Sequence, residues 1–206
     1  GKNMKRFKPN IKSNILMILL LLVLIFTLNL FVQNFIVKQN EPYSKVQIGG
    51  KFNLIDSSNK IFQSSKLDIR KLIYFGYTYC PDVCPIDLNN VSIIYKENKE
   101  LTKKIQPIFI SVDPARDTPD VIKNYLANFE SSIIGLTGSK EDIEDVKKKF
   151  KIYTNFVENE SEDDFYTIDH TSIFYLVDEN DFYIRHFSRK NFIEEFSLYL
   201  KEEGLI

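Results

Sequence analysis

The chain is poor in the residues that build metal, redox and disulfide-rich sites. Its 206 residues include two cysteines, two histidines and no tryptophan. Two cysteines, Cys80 and Cys84, exclude a disulfide-dense scaffold, a four-cysteine zinc site and a four-cysteine iron–sulfur site. Two histidines, His170 and His186, exclude any site that needs three. These scarce residues therefore act together, or they have no metal or redox role.

A basic excess is also absent. Lysine and arginine number 27 against 28 aspartates and glutamates, which gives a formal net charge of −1. Nucleic-acid-binding proteins usually carry a basic excess, so the balance argues against a nucleic-acid partner. The hydrophobic fraction of 44% is typical of a globular chain rather than a disordered one.

One stretch near the N-terminus lacks charge altogether. Residues 13–37 contain no charged side chain, and residues 15–32 are interrupted only by Thr27 and Asn29. About 20 apolar residues cross a membrane as a helix. The run is longer than the apolar core of a secretory signal, and no alanine marks a cleavage site near its end, since the first alanine is Ala115. We therefore expect a retained transmembrane helix.

The charges that flank this run predict its orientation. Five basic residues and no acidic residue precede it, and positive flanks stay cytoplasmic, so the C-terminal part is predicted to be exported. We expect a basic cytoplasmic tail at 1–13, an anchor at 14–37, a tether at 38–47 and an exported domain at 48–206. Beyond the run there are 22 basic and 28 acidic residues, so the exported part carries −6. That acidity suits a cationic partner such as a metal ion.

The exported part alternates strand and helix signals. The patterns first predict a small hairpin at 52–63, a buried strand at 72–76, a helix from Pro85 and a second buried strand at 108–112. They then predict a helix at 118–129, a strand at 133–136 and a helix capped by Ser139. The last predicted elements are a hairpin of strands at 171–177 and 182–187 and a helix at 191–203. This order predicts an α/β fold with a mixed sheet flanked by helices. The thioredoxin-like arrangement has this order.

Both cysteines lie between the end of the first buried strand and the start of a helix. Free N–H groups and the helix dipole stabilise anions there, so the thiolate form is favoured. Four residues apart, the sulfurs of Cys80 and Cys84 are close enough to bridge or to share a metal. The alternative is a plain stabilising disulfide, although so short a loop gains little from closure.

His170 follows an acidic stretch at 159–164 and precedes the strand predicted from Thr171. Its imidazole would lie beside the cysteines if that strand neighbours the first. Two thiolates and an imidazole form a soft, three-coordinate site that suits Cu(I) and, with modest rearrangement, Cu(II), whereas a closed zinc site needs a fourth ligand. The alternative is a partly buried surface histidine. For His186, late in a predicted strand, we expect a surface or partly buried position rather than a role as a ligand.

Two aspartates follow the second buried strand and so lie at the same edge of the sheet. Either Asp113 or Asp117 would be placed to orient His170 or to tune the site. A turn and helix cap explain both residues equally well. Tyr77 and Tyr79 either shield the site or simply pack.

Three segments, at 76–85, 111–119 and 169–171, together resemble the Sco/SenC family. The first contains Cys-Pro-Asp-Val-Cys-Pro and the last Asp-His-Thr. The resemblance covers the chain from about Val46 to the C-terminus and extends to the single N-terminal anchor. It implies a thioredoxin-like copper chaperone that delivers copper to the binuclear copper site of cytochrome c oxidase subunit II. By position, it assigns copper binding to Cys80, Cys84 and His170.

The resemblance also implies a location and further partners. We expect a single-pass protein of the bacterial inner membrane with its domain in the periplasm, or of the mitochondrial inner membrane facing the intermembrane space. A copper donor protein or a thiol reductant would serve the site. A metallochaperone needs no catalytic residue, and none is assigned.

Two other functions use the same thiols. A thiol–disulfide oxidoreductase would use Cys80 and Cys84 to keep the acceptor cysteines reduced, and the metal-free pair would be redox-active or disulfide-bonded. His170 favours copper because a dithiol reductase needs no third ligand. A peroxiredoxin-like peroxidase ranks last, because Arg116 is the only arginine in the motifs and the second cysteine follows too closely.

Overall fold

The computed structural model describes residues 11–39, 47–158 and 166–206. The predicted cytoplasmic tail and tether fall mostly outside these ranges, as does the acidic stretch at 159–164. The chain divides into two units, Gly1–Val46 and Gln47–Ile206. The described part of the first unit is one helix, α1 (Ile11–Gln39), whose described side chains, at 15 and 17–32, are exposed. Within the described residues, every helix falls short of the combined length and hydropathy that a membrane span requires.

The second unit contains nine described strands and four longer helices. The strands are β1 (Asn53–Asp56), β2 (Ile61–Gln63), β3 (Arg70–Gly76), β4 (Ile105–Ser111), β5 (Ile134–Thr137), β6 (Thr154–Glu158), β7 (Tyr166–His170), β8 (Ile173–Val177) and β9 (Tyr183–Ser188). The helices are α2 (Val83–Glu97), α3 (Pro119–Leu126), α4 (Lys140–Phe150) and α5 (Phe192–Glu202).

Seven of these strands form one mixed sheet in the order β2-β1-β5-β4-β3-β8-β9. Strands β3, β4 and β5 are parallel, β8 is antiparallel to β3, and β9 is antiparallel to β8. A parallel β3-α2-β4 unit, an antiparallel pair and a closing helix make up the thioredoxin-like arrangement. The predicted α/β fold with a mixed sheet is therefore confirmed.

The central strand β3 is buried on both faces, as its continuous apolar run predicts. On one face, Phe75 packs against Phe150 of α4, with ring centroids 5.4 Å apart. On the other face, Tyr74 packs against Phe109 of β4 and Phe174 of β8. This packing fixes the C-terminal end of β3, from which the cysteine loop departs.

Local signals set where the helices begin. The Ser139 hydroxyl accepts the N–H of Asp142, and the Asp142 carboxylate accepts the N–H of Ser139, which completes a capping box at the start of α4. The Thr118 hydroxyl accepts the N–H of Val121 and so caps α3. Helix α2, however, begins at Val83 rather than at Pro85, so that Cys84 lies in its first turn.

The largest departure from the predicted elements is a two-stranded antiparallel ribbon of β6 and β7. His170 is the last residue of β7 and does not directly precede a strand that begins at Thr171; β8 begins only at Ile173. The ribbon closes at Thr171, whose N–H donates to the carbonyl of Tyr153 at 3.1 Å. His170 therefore belongs to the ribbon and not to the strand beside β3.

The second unit begins at the end of the sheet where β3 starts. The N–H of Gly49 donates to the carbonyl of Lys149 at the end of α4, and a side chain at Gly49 (φ +90°) would collide with the carbonyl of Asp181. Asp181 in turn forms a fully buried ion pair with Lys71 at 2.9 Å and accepts the Ser64 hydroxyl at 2.6 Å. These contacts fasten the first residues of the unit to the turn between β8 and β9.

Candidate metal centre

The two cysteines lie at the C-terminal end of β3, as predicted, but on two different elements. Cys80 is in the loop that follows β3, and Cys84 is in the first turn of α2. Both thiols are free and buried. The N–H of Cys84 donates to the sulfur of Cys80 at 3.5 Å, which is the anion-stabilising contact expected at a helix N-terminus.

The structure brings His170 to the same place. Its Nε2 lies 3.5 Å from the sulfur of Cys84. Its Nδ1 lies 3.1 Å from the carbonyl of Thr171, and a carbonyl only accepts, so in the neutral ring the proton is on Nδ1 and the Nε2 lone pair faces the sulfur. The ring packs edge-on against Tyr74 and Tyr77, with centroids 6.3 Å and 5.9 Å away.

These donors fit a soft metal ion. With metal–sulfur bonds of about 2.3 Å and metal–nitrogen bonds of about 2.0 Å, two ligands of one ion lie about 3.5 to 3.8 Å apart. The distance between Cys84 and His170 falls at the lower end of that range. Within the described residues, no three Cys, His, Asp or Glu side chains already form a complete metal-binding group. The side chain of Cys80 therefore has to adjust for all three donors to meet one ion.

The pKa values of the two thiols are shifted in opposite directions. A hydrogen bond with the Cys84 thiol lowers the pKa of the Cys80 thiol to about 3, against the opposing effect of burial, and His170 adds a smaller lowering. The same bond and burial raise the pKa of Cys84 well above its usual value. These directions favour the thiolate at Cys80 and the thiol at Cys84, whose proton a bound cation would have to displace.

A buried polar network lies behind Cys84. Asp87, one turn further along α2, accepts the hydroxyl of Tyr74 at 2.9 Å and the Nε of Arg189 at 3.2 Å. Burial raises the pKa of Asp87. The sequence analysis missed these residues, although a carboxylate on the apolar face of α2 beside Leu88 is a signal that would have singled out Asp87.

Asp113 and Asp117 lie at the predicted edge but contact other groups than His170. The buried carboxylate of Asp117 accepts the N–H and hydroxyl of Thr78 at 2.9 and 2.6 Å and the hydroxyl of Ser111 at 2.6 Å. It therefore ties the cysteine loop to the end of β4. Asp113 pairs with Arg116. The Thr171 carbonyl, rather than either carboxylate, accepts the His170 ring N–H.

The remaining candidate residues lie in three different surroundings. His186 lies exposed on β9, where its Nδ1 is 2.6 Å from the hydroxyl of Tyr183, and the structure does not bring it to the thiols. Tyr77 is buried, and its hydroxyl accepts the N–H of Ile168 at 3.1 Å. Tyr79 is 46% exposed beside Cys80.

Comparison with known proteins gives consistent matches. A sequence profile of the family described as SCO1/SenC matches residues 40–202, a stretch that includes both cysteines and His170. An SCO2-like protein of Rickettsia prowazekii is 46% identical over 144 residues, which are 69% of this chain and 70% of that protein. The mitochondrial protein SCO2 of Saccharomyces cerevisiae is 40% identical over 161 residues, which are 77% of this chain and 53% of that protein. The structure of Bradyrhizobium japonicum ScoI with copper bound superposes with a TM-score of 0.68 at 39% identity, over 75% of this chain and 98% of that one.

Proposed function

Because the chain belongs to the SCO1/SenC family, we propose that it binds copper through Cys80, Cys84 and His170 and acts in the assembly of cytochrome c oxidase. The observation that carries the proposal is the 3.5 Å approach of His170 Nε2 to the sulfur of Cys84, between residues 86 positions apart in the chain. A soft donor set of two sulfurs and one imidazole suits copper better than zinc or a hard cation.

In this proposal copper is a cargo, delivered to the binuclear copper site of cytochrome c oxidase subunit II. The three donors belong to a loop, a helix and a ribbon, so an acceptor is able to replace them one at a time by ligand exchange. Buried thiols and a ring packed between two tyrosines shield the ion until an acceptor docks. A copper donor protein and a thiol reductant would load and reset the site.

The two histidines of the chain provide a matched test. We expect the reduced full-length chain to bind one Cu(I), with His170→Ala weakening binding by about tenfold or more because a ligand is lost. His186→Ala, which removes an exposed imidazole from another strand, is the control and should bind as the parent does. The measurement is a competition titration against a chromophoric Cu(I) chelator. Equal affinity of His170→Ala and the parent would contradict the three-ligand site.

A thiol–disulfide oxidoreductase is the second candidate, favoured by one observation. The free thiols of Cys80 and Cys84 are adjacent, and the Cys84 N–H bonds the Cys80 sulfur that would attack a disulfide. This activity needs no imidazole. Rapid reduction of a subunit II disulfide by the metal-free chain, equally fast in His170→Ala, would favour the reductase over the copper carrier.

The proposal includes a membrane anchor with the second unit exported, either to the periplasm or to the intermembrane space. The support is the uncharged stretch at 13–37, the basic residues before it and the exposed apolar side chains of α1.

A reporter enzyme that works only outside the cytoplasm tests this topology in a bacterial host. Fused after Val37, it is expected to be active, because the uncharged run would carry it across the membrane. Fused after Lys12, before that run, it should be inactive. The measurement is reporter activity in intact cells at matched expression. An inactive Val37 fusion, expressed as well as the parent, would contradict the predicted orientation.

A further inference from the structure

The imidazole of the site is carried by a ribbon that the main sheet does not hold. Among the described strands, β6 and β7 pair only with each other. His170 is at the end of β7, while both thiols belong to the β3-α2 connection. Something other than sheet hydrogen bonds must therefore keep β7 against the cysteine loop.

Arg116 contacts the first residue of β7 through the face of its guanidinium and through Nη1. The guanidinium carbon lies 3.5 Å from the ring centroid of Tyr166, and Nη1 donates to the carbonyl of Tyr166 at 2.9 Å. Its Nε donates to the carboxylate of Asp113, and Asp113 also accepts the hydroxyl of Tyr166 at 2.8 Å. The first residue of β7 is thus bound through its ring, its carbonyl and its hydroxyl.

The same guanidinium contacts the cysteine loop. It lies 4.8 Å from the ring centroid of Tyr79 and 5.8 Å from that of Tyr77. Tyr77 completes the connection, because its hydroxyl accepts the N–H of Ile168 and its ring packs edge-on against His170. The cysteine loop and the ribbon are therefore connected by the Arg116 guanidinium and the rings of three tyrosines. The Arg116 side chain is only 17% exposed.

We propose that Arg116 is a positioning residue that clamps β7 onto the cysteine loop and thereby holds His170 Nε2 against Cys84. Stacking on Tyr166, a hydrogen bond to its carbonyl and an ion pair with Asp113 are all made at once, which a planar guanidinium achieves and an ammonium does not. The consequence for the metal rests on the proposed function, whereas the clamp itself does not.

A double-variant cycle tests the consequence for copper. If Arg116 acts through His170, Arg116→Ala lowers Cu(I) affinity of the full-length chain by about tenfold or more, and adding Arg116→Ala to His170→Ala has no further effect. X-ray absorption of the copper-loaded Arg116→Ala chain should show sulfur ligands retained and the imidazole lost. Additive losses in the double variant, or an imidazole still bound in Arg116→Ala, would overturn the proposal.

A second measurement needs no copper and separates this proposal from the proposed function. Hydrogen exchange of the Ile168 amide in the metal-free chain reports whether β7 stays on Tyr77. We expect at least about tenfold faster exchange in Arg116→Ala, which is a loss of about 1.4 kcal/mol of protection at 25 °C. Arg70→Ala is the matched control, since Arg70 pairs with Glu203 at 2.9 Å and bonds Tyr199 at the other end of β3. Unchanged Ile168 exchange in Arg116→Ala would overturn the clamp even if copper binds.

Arg116→Lys decides the question if the alanine variant does not fold. Lysine keeps a charge for Asp113 but lacks the planar group that stacks on Tyr166 and bonds its carbonyl. Faster Ile168 exchange and loss of the imidazole from copper are expected again. Wild-type exchange with wild-type copper coordination in Arg116→Lys would show that charge alone suffices and would overturn the proposal.

Discussion

Cys84→Ser is expected to lower Cu(I) affinity by more than about a hundredfold, since changing even a residue that supports a metal ligand costs about 10- to 100-fold. Cys84 is the sulfur that faces His170 and the fully buried member of the pair. A serine hydroxyl stays protonated at neutral pH and is a hard donor, so it replaces neither the charge nor the softness of a thiolate. The chain would be left with Cys80 and His170 as its only soft donors at the site.

Competition titration of the reduced chain measures this loss, and thermal unfolding of the metal-free chain controls for the fold. Serine is close to cysteine in volume, so the metal-free variant is expected to unfold near the parent. Cys80→Ser should show a loss of the same order. Loss of even a residue that supports a ligand should cost about tenfold. A Cu(I) affinity of Cys84→Ser within about threefold of the parent would therefore show that Cys84 is not a copper ligand.

Lys71→Met is expected to lower the free energy of unfolding by about 3 to 5 kcal/mol, the usual cost of stranding one buried charge. Lys71 and Asp181 are both fully buried and 2.9 Å apart. Methionine fills a similar volume but leaves the Asp181 carboxylate with the hydroxyl of Ser64 as its remaining side-chain donor. The turn between β8 and β9 would then lose its ionic partner on β3.

Urea denaturation of the parent and variants measures this loss. Lys103→Met is the matched control, because Lys103 pairs with Glu100 on the surface and such pairs are worth about 0 to 1 kcal/mol. Lys71→Met combined with Asp181→Asn should regain much of the loss, since asparagine tolerates the left-handed backbone of residue 181 (φ +69°). A cost for Lys71→Met no greater than that for Lys103→Met would contradict the ionic role.

The parts of the fold that the sequence predicts are those with local signals. The apolar runs of β3 and β4, the cap at Ser139, and the position of the cysteines at the end of β3 all follow from neighbours in the chain. Family motifs then select His170 rather than His186, a choice that periodicity alone does not make.

Contacts between distant segments escaped the sequence analysis. Asp87 meets Arg189 across 102 residues, and Arg116 meets Tyr166 across 50. The ribbon was missed because β6 and β7 pair outside the main sheet, and the turn-like acidic stretch between them is too long to fix their register as a two-residue hairpin turn does. Pairings of this kind depend on tertiary packing, which a single sequence does not display.

The contacts of Gly49 and Gly50 with the turn at Asp181 have a practical consequence for handling the protein. These contacts lie where β3 begins, and the thiols lie beyond the C-terminal end of β3. Seven residues of strand at about 3.3 Å each separate the contacts from the thiols by about 23 Å. A purification tag, a fluorophore or a surface linkage joined directly at Gln47 would therefore be attached at the end of the sheet away from both cysteines. An immobilised sensor oriented in this way would present Cys80, Cys84 and His170 to the solution.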